Sequence, residues 1–343
     1  MQCMEIWGGN RRVTTHVAMA GIDVWVYSRP FRDSTRSSDL TNGESGGDIH
    51  YLSACATGRI TRMIVADVSG HGAAVAAVAS SLRRLMHKFS NYIDQSRFVE
   101  AVNQRFNQLR EESAAAEGLF ATAVVASYFA PTDELTICNA GHPRPLLFDS
   151  RAQTWHSLDV VASRTTPANL PLGVLDDVPY DTRALTLAPD DLVVIFTDPL
   201  IELRDARAHG RLNGEAGLVA ILNTIHNPRA ETLIKELLDK AAAYTNAPRS
   251  PEDGEPELND DVTILVLRRN QSKPKPSIKL SLMGAVRVIA NAVRSVFARD
   301  VPLSLPEPRV DAIFGSLADR FNRPVAPAAR AEHREQRLIA QRL

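Results

Sequence analysis

The segment Val65-Ala66-Asp67-Val68-Ser69-Gly70-His71-Gly72 ends a run that begins at Ile60 and is apolar enough to be a buried strand. Just upstream, Gly58 marks a turn. Before that turn, His50, Leu52 and Ala54 alternate with Tyr51 and Ser53, the period-two pattern of a second strand opened by Gly46-Gly47-Asp48. Asp48 therefore starts one strand and Asp67 ends its neighbour, which brings two carboxylates to one edge of a sheet. The small residues and glycines around them let backbone crowd against whatever the carboxylates hold. That arrangement suits a hard divalent cation such as Mg²⁺ or Mn²⁺. An ordinary Asp-rich turn is the alternative for either residue alone.

Two more acidic sites lie further out. Phe196-Thr197-Asp198 closes the apolar run 192–196, and Asn259-Asp260-Asp261 opens another at 262–267. Four carboxylate sites gathered in space repel one another unless cations neutralise them. Two ions sharing bridging carboxylates are the economical arrangement.

The chain has 343 residues, 44% hydrophobic and 23% charged, which is enough for one large domain or two small ones. Its formal net charge of −1 argues against a dedicated nucleic-acid binder. The charge is unevenly spread: residues 271–343 carry 13 Lys and Arg against 6 Asp and Glu (+7), leaving 26 against 34 (−8) to residues 1–270. Cys3, Cys55 and Cys138 are too few and too far apart for a disulfide framework or a zinc site, and read as buried thiols. The N-terminus has no basic, apolar leader, and no run of about 18 apolar residues occurs. A cytoplasmic protein is the expectation.

Residues 14–27 read as two strands around Gly21, and 29–45 as a surface loop. Ala73–Phe89 and 95–113 have helical spacing, the first with Val75, Val78, Leu82 and Leu85 on one face. Segments 120–129 and 134–139 form a hairpin, followed by a short strand at 145–148. Segments 180–187 and 191–196 read as a second hairpin turning at Pro189-Asp190. Helices follow near 214–226 and 229–244. Strand runs broken by helix pairs predict an α+β fold, an antiparallel-rich sandwich flanked by helices, over residues 1–270. Residues 271–277 read as a linker. The basic tail 278–343 contains an amphipathic helix at 278–298 and a second apolar face at 310–321.

The ordered motifs GGD (46–48), VADVSGHG (65–72), NAGHP (139–143), PLG (171–173), FTD (196–198) and DDVT (260–263) resemble a known family. It is the bacterial SpoIIE-like branch of the PPM (type 2C) metal-dependent protein serine/threonine phosphatases, and the likeness covers roughly residues 14–268. The resemblance implies a four-layer αββα sandwich with a binuclear Mn²⁺/Mg²⁺ centre. By motif position, Asp48 matches the acidic residue of the first strand and Asp67 the carboxylate that bridges both metals. The Val68 carbonyl matches the backbone ligand, and Asp198 and Asp260 match the remaining ligands. Asp261 falls where the family tolerates other residues.

Paired cations about 3.5–4 Å apart can lower the pKa of a bridging water, and the resulting hydroxide would attack phosphorus without a covalent enzyme intermediate. His71 and His142 are candidate acids for the leaving oxygen; the alternative is that each orders its Gly-rich loop. Glu202, four residues beyond Asp198, is a candidate supporting residue. Pro199 departs from the family's Asp-Gly, and supports a second reading, a noncatalytic module that sequesters a signalling partner. By family analogy the substrate is a phosphoprotein resembling an anti-sigma-factor antagonist. No sensor domain is expected ahead of Asp48, and segment 278–298 is a candidate contact with a membrane surface or a partner.

Overall fold

The computed structural model describes residues 3–9, 11–31, 46–55, 58–70, 73–90, 92–112, 116–159, 168–204, 212, 214–250, 254–256, 258 and 260–272. The tail 278–343 and His71 lie outside the described residues. Twelve strands and four helices are described: β1 (Cys3–Gly9), β2 (Val13–Met19), β3 (Ile22–Arg29), β4 (Asp48–Cys55), β5 (Ile60–Val68), α1 (Ala73–Phe89), α2 (Gln95–Glu112), β6 (Ala121–Phe129), β7 (Glu134–Ala140), β8 (Leu146–Asp149), β9 (Thr154–Ser157), β10 (Thr182–Thr186), β11 (Leu192–Phe196), α3 (Gly214–Leu222), α4 (Ala230–Thr245) and β12 (Val262–Arg269). They form two six-stranded sheets, β1-β4-β5-β6-β7-β10 and β2-β3-β12-β11-β8-β9. Every strand pair within them is antiparallel.

Side-chain alternation assigns the layers. In β11, Leu192, Val194 and Phe196 belong to the core shared with Leu218 and Leu222 of α3 and Leu233 and Leu237 of α4. Val193 and Ile195, on the opposite face, pack between the sheets with Leu52, Met63, Val65, Val124, Leu265 and Leu267. The other face of the first sheet, with Ile49, Ile64 and Ala66, is covered by Val78 and Leu82 of α1 and Phe98 and Phe106 of α2. Four layers follow, helix–sheet–sheet–helix, and the apolar runs read from the sequence are those strands buried on both faces. The fold is the α+β sandwich expected from the resemblance. Among the described residues no helix is long and apolar enough to cross a membrane.

One expectation needs correction. Segments 180–187 and 191–196 are not a hairpin: β10 pairs with β7 in the first sheet, whereas β11 lies between β12 and β8 in the second. The short connection carries the chain from one sheet to the other. Leu187 N–H donates to the Asp133 carbonyl at 3.0 Å on the first side. Asp191 then accepts from Ala188 N–H at 2.8 Å and from Ser150 N–H at 3.0 Å on the second. The Pro-Asp turn was legible; which sheet each flank would join was not. Strands β1 and β9 were also not anticipated.

Candidate metal centre

The alternation that fills the space between the sheets with aliphatic side chains turns polar at one end. In β4 the parity of Leu52 runs to Asp48, and in β5 that of Met63 and Val65 runs to Asp67. In β11 the parity of Ile195 runs to Thr197, and in β12 that of Leu265 runs to Thr263 and Asp261. Asp48 and Asp67 are direct cross-strand partners. Asp198 follows β11 and opens the 3₁₀ turn Asp198–Leu200, and Asp260 precedes β12 by two residues. β11 and β12 are neighbours, and the bonds from Thr197 to Asp48 and from Gly47 to Asp261 bring their acidic ends to the same rim as those of β4 and β5.

Several of these carboxyls respond to their neighbours' charges. Burial, then the charges of Asp198, Asp260 and Asp261, push the Asp67 carboxyl up to about 7. Burial, then Asp260 and Glu202, push Asp198 up to about 6. Asp48, 3% exposed, is held well above the ordinary carboxylate range by burial and by the charges of Asp67 and Asp261, against which the hydroxyls of Thr263 and Thr197 act. The structure therefore sets Asp67 within reach of the charges of Asp198, Asp260 and Asp261, and Asp48 within reach of those of Asp67 and Asp261. Exposed Glu202 adds to the field at Asp198.

The donor set fits paired hard cations. All the candidate side-chain ligands are carboxylate oxygens, in a group whose joint ionisation is unfavourable without positive charge. Glycine keeps the adjoining backbone close: a Cβ on Gly47 would stand 2.7 Å from the Val68 carbonyl oxygen and 3.3 Å from an Asp67 oxygen. Among the described residues, however, no three His, Cys, Asp or Glu side chains stand in ready coordination geometry. Several of the carboxylates are bonded elsewhere. Thr197 Oγ1 donates to Asp48 Oδ2 at 2.9 Å, and Asp260 Oδ1 accepts from Asp261 N–H at 2.8 Å.

Asp261 does more than its motif position suggested. Its Oδ1 accepts from Phe31 N–H at 2.6 Å, and its Oδ2 from Gly47 N–H at 2.5 Å and from Asp48 N–H at 3.4 Å. These amides partly offset the burial that raises its pKa. A Cβ on Gly46 would stand 2.7 Å from Asp261 Oδ2. Asp261 thus fastens the Gly46-Gly47-Asp48 turn of one sheet to β12 of the other.

His142 is committed to structure. It is 5% exposed, and its Nε2 lies 3.0 Å from the Phe196 carbonyl, two residues before Asp198. A carbonyl only accepts, so Nε2 carries the proton and Nδ1 accepts from the Thr122 hydroxyl at 2.8 Å. Thr122 is the cross-strand partner of Asp67. Burial lowers the ring's pKa to about 4, which keeps it neutral. Asn139 closes the loop on both sides, Oδ1 accepting from His142 N–H and Nδ2 donating to its carbonyl, each at 2.8 Å. With both ring nitrogens engaged, His142 braces the two sheets at the acidic rim. His142→Phe is expected to lower the unfolding free energy by about 3 kcal/mol, because it orphans a buried hydroxyl and a buried carbonyl. Urea unfolding measures it, and a loss below about 1 kcal/mol would contradict the brace.

Pro199 fits its surroundings. It occupies the first turn of the 3₁₀ helix, where no N–H is needed and φ near −65° is already helical. Ile201 N–H donates to the Asp198 carbonyl at 2.9 Å, and so does Glu202 N–H at 3.0 Å. The metal-ligand candidate thus heads a closed turn.

A two-sheet sandwich of this kind, flanked by helix pairs, is shared with solved PP2C-type structures. The RsbU and RsbW domains of Rv1364c from Mycobacterium tuberculosis superpose with a TM-score of 0.56 at 24% identity, over 83% of this chain and 72% of that one. The SiaA-PP2C domain of Pseudomonas aeruginosa gives 0.51 at 16% identity, over 72% and 86%. The family model described as Stage II sporulation protein E (SpoIIE) matches residues 57–270, and the chain belongs to that family, the SpoIIE-like branch of the PPM phosphatases. Among curated proteins, phosphoserine phosphatase RsbU of Bacillus subtilis (strain 168) is 24% identical over 206 residues, 60% of this chain and 54% of that protein. Phosphoserine phosphatase RsbP of the same organism is 23% identical over 141 residues, 41% and 33%. The chain spans about half the length of the first of these relatives and a third of the second.

Proposed function

We propose that this chain is a metal-dependent protein phosphatase acting on phosphoserine or phosphothreonine of a regulatory protein. Asp48, Asp67, Asp198, Asp260 and the Val68 carbonyl would hold two Mn²⁺ or Mg²⁺ ions. The observation that carries this reading is the gathering of carboxylates from both sheets at one rim, with Asp48 opposite Asp67, Thr197 bonded across the sheets to Asp48, and Asp198 and Asp260 close enough to act on Asp67. When bound, the paired cations supply Lewis acidity toward the phosphoryl oxygens and a water acidic enough to ionise near neutral pH. The residues contribute placement. Asp67 sits at the centre of the field, Gly47 lets the Val68 carbonyl be approached, and Asp261 and His142 tie the two sheets together beside the ligands.

The curated relatives' activity on phosphoserine supports the choice of substrate bond. That the substrate is a phosphorylated anti-sigma-factor antagonist or a similar partner-switching protein rests on the family analogy. The assay is release of phosphate from phosphoserine and phosphothreonine peptides by the full chain, titrated with Mn²⁺ and with Mg²⁺ against EDTA. No release at any metal concentration would overturn the reading.

The noncatalytic alternative rested on Pro199, and the closed turn after Asp198 gives it no support. Pro199→Gly is expected to leave metal-dependent turnover within about twofold of wild type and to cost about 0.5–1 kcal/mol of stability through the freer unfolded chain. Activity absent in the wild type but restored by glycine would instead identify a disabled enzyme.

A further inference from the structure

Thr197 stands where a threonine ordinarily caps a helix, immediately before the turn Asp198–Leu200, and its hydroxyl makes no capping bond. The side chain is 0% exposed, and its hydrogen-bonding pattern is fixed by its neighbours. Thr263 N–H donates to Thr197 Oγ1 at 2.9 Å, while Thr197 N–H donates to the Thr263 carbonyl at 3.0 Å. With a lone pair occupied, the hydroxyl proton has two acceptors in range: the Asp261 carbonyl at 3.5 Å and Asp48 Oδ2 at 2.9 Å. The shorter bond, to Asp48, wins. It runs from β11's end in one sheet to β4's start in the other. Asp261 approaches the same turn through the backbone amides of Gly47 and Asp48, whereas the Thr197 hydroxyl reaches the Asp48 carboxylate itself, which the Thr263 hydroxyl, bonded to Ser28 Oγ at 3.1 Å, also favours.

We propose that Thr197 is a positioning residue for the metal centre: its hydroxyl pins one oxygen of Asp48 across the gap between the sheets and so fixes the carboxylate that would meet a cation. The inference rests on the phosphatase reading above, and deepens it by adding a residue that touches neither metal nor substrate. A buried carboxylate with no such donor is free to rotate away from the Asp67 field. A hydroxyl anchored by Thr263 removes that freedom before the ion arrives, and so lowers the reorganisation that metal binding requires. The Asp198 side of the centre gains as well, because the residue that fixes Asp48 is joined to Asp198 by a single peptide bond.

The test is calorimetric titration of the metal-free full chain with Mn²⁺ alone, alongside thermal melts in EDTA. Thr197→Val is expected to weaken Mn²⁺ binding at least tenfold, in line with losses seen when a ligand's hydrogen-bonding partner is removed. Thr197→Ser, which keeps the hydroxyl, should stay within about threefold of wild type. In the Asp48→Asn background, Thr197→Val should cause no further loss. Wild-type affinity in Thr197→Val, or losses that add with Asp48→Asn, would overturn the positioning role. Thr197→Ala removes the hydroxyl without the added methyl. If it and Thr197→Val both fail to fold while Thr197→Ser folds, the hydroxyl is a structural bond and the proposal falls. Failure of the underlying reading looks different: the wild type itself would take up no more Mn²⁺ than Asp198→Asn.

Discussion

Asp67→Asn should abolish Mn²⁺-dependent phosphopeptide hydrolysis, by at least about 10³-fold in kcat/KM, equivalent to roughly 4 kcal/mol of transition-state stabilisation. Asp67 feels Asp198, Asp260 and Asp261 together, and in the proposed centre it is the carboxylate that would serve both cations. An amide of the same shape keeps one oxygen, and loses the charge and the second donor. The same substitution should not harm the fold. It removes an anion from a buried, crowded field, so in EDTA at pH 8 the variant should melt at or above the wild-type temperature. Lost catalysis with retained or improved metal-free stability is a combination that a purely structural aspartate would not give. Retention of more than about a tenth of wild-type turnover would remove Asp67 from the centre.

The second large effect is a linkage between pH, metal and stability. In the folded chain the carboxyls of Asp67 and Asp198 lie near 7 and 6, against an ordinary 3.8. Raised values mean that folding takes up protons. The stability these groups give the metal-free protein is complete below about pH 4 and is lost as pH rises through 6 and 7. His50 and His142 act in the opposite sense, since burial lowers both to about 4 and their contribution is lost as pH falls from 6.5 toward 4. The informative quantity is therefore the difference in melting temperature between wild type and Asp67→Asn in EDTA. It should widen between pH 5 and pH 8, corresponding to about 2 kcal/mol after allowance for the partial exposure of Asp67. Saturating Mn²⁺ should raise the wild-type melting temperature most at the high-pH end, because cation and proton compete for the same oxygens. A difference independent of pH, or a Mn²⁺ shift larger at pH 5 than at pH 8, would mean that these carboxylates do not share one field.

Much of this was legible in the chain itself. The strand that ends at Asp67 and the one that begins at Asp48 announced themselves by composition, and their register partnership followed from the turn at Gly58. Asp198 and Asp260 could be placed at strand ends, but nothing local said that those strands were neighbours in a second sheet facing the first. That information is carried by pairings hundreds of positions apart, such as Arg29 with Val262. The false hairpin at 180–196 failed for the same reason, since a Pro-Asp turn serves equally well to reverse a strand or to hand it to another layer. Thr197 carries no role when read from its motif, and Asp261 ranks low there, because a motif is read within one strand. The signal that finds them is parity: Val193, Ile195, Thr197 in one strand and Leu267, Leu265, Thr263, Asp261 in the next keep to one face while that face changes from oily to polar. His142 kept a reading as an acid beside the loop-ordering one until its two ring partners could be named.

The position of β12 has a consequence for biosynthesis. This strand, the last in the described chain, is inserted between β3 and β11 in the middle of its sheet, and it brings Asp260 with it. A nascent polypeptide that has emerged only as far as residue 250 holds three of the four acidic sites but has a cleft where their scaffold should close. If the proposed centre is right, ion capture waits until translation has passed β12, and a shorter product should have no competent centre with which to meet a phosphorylated client.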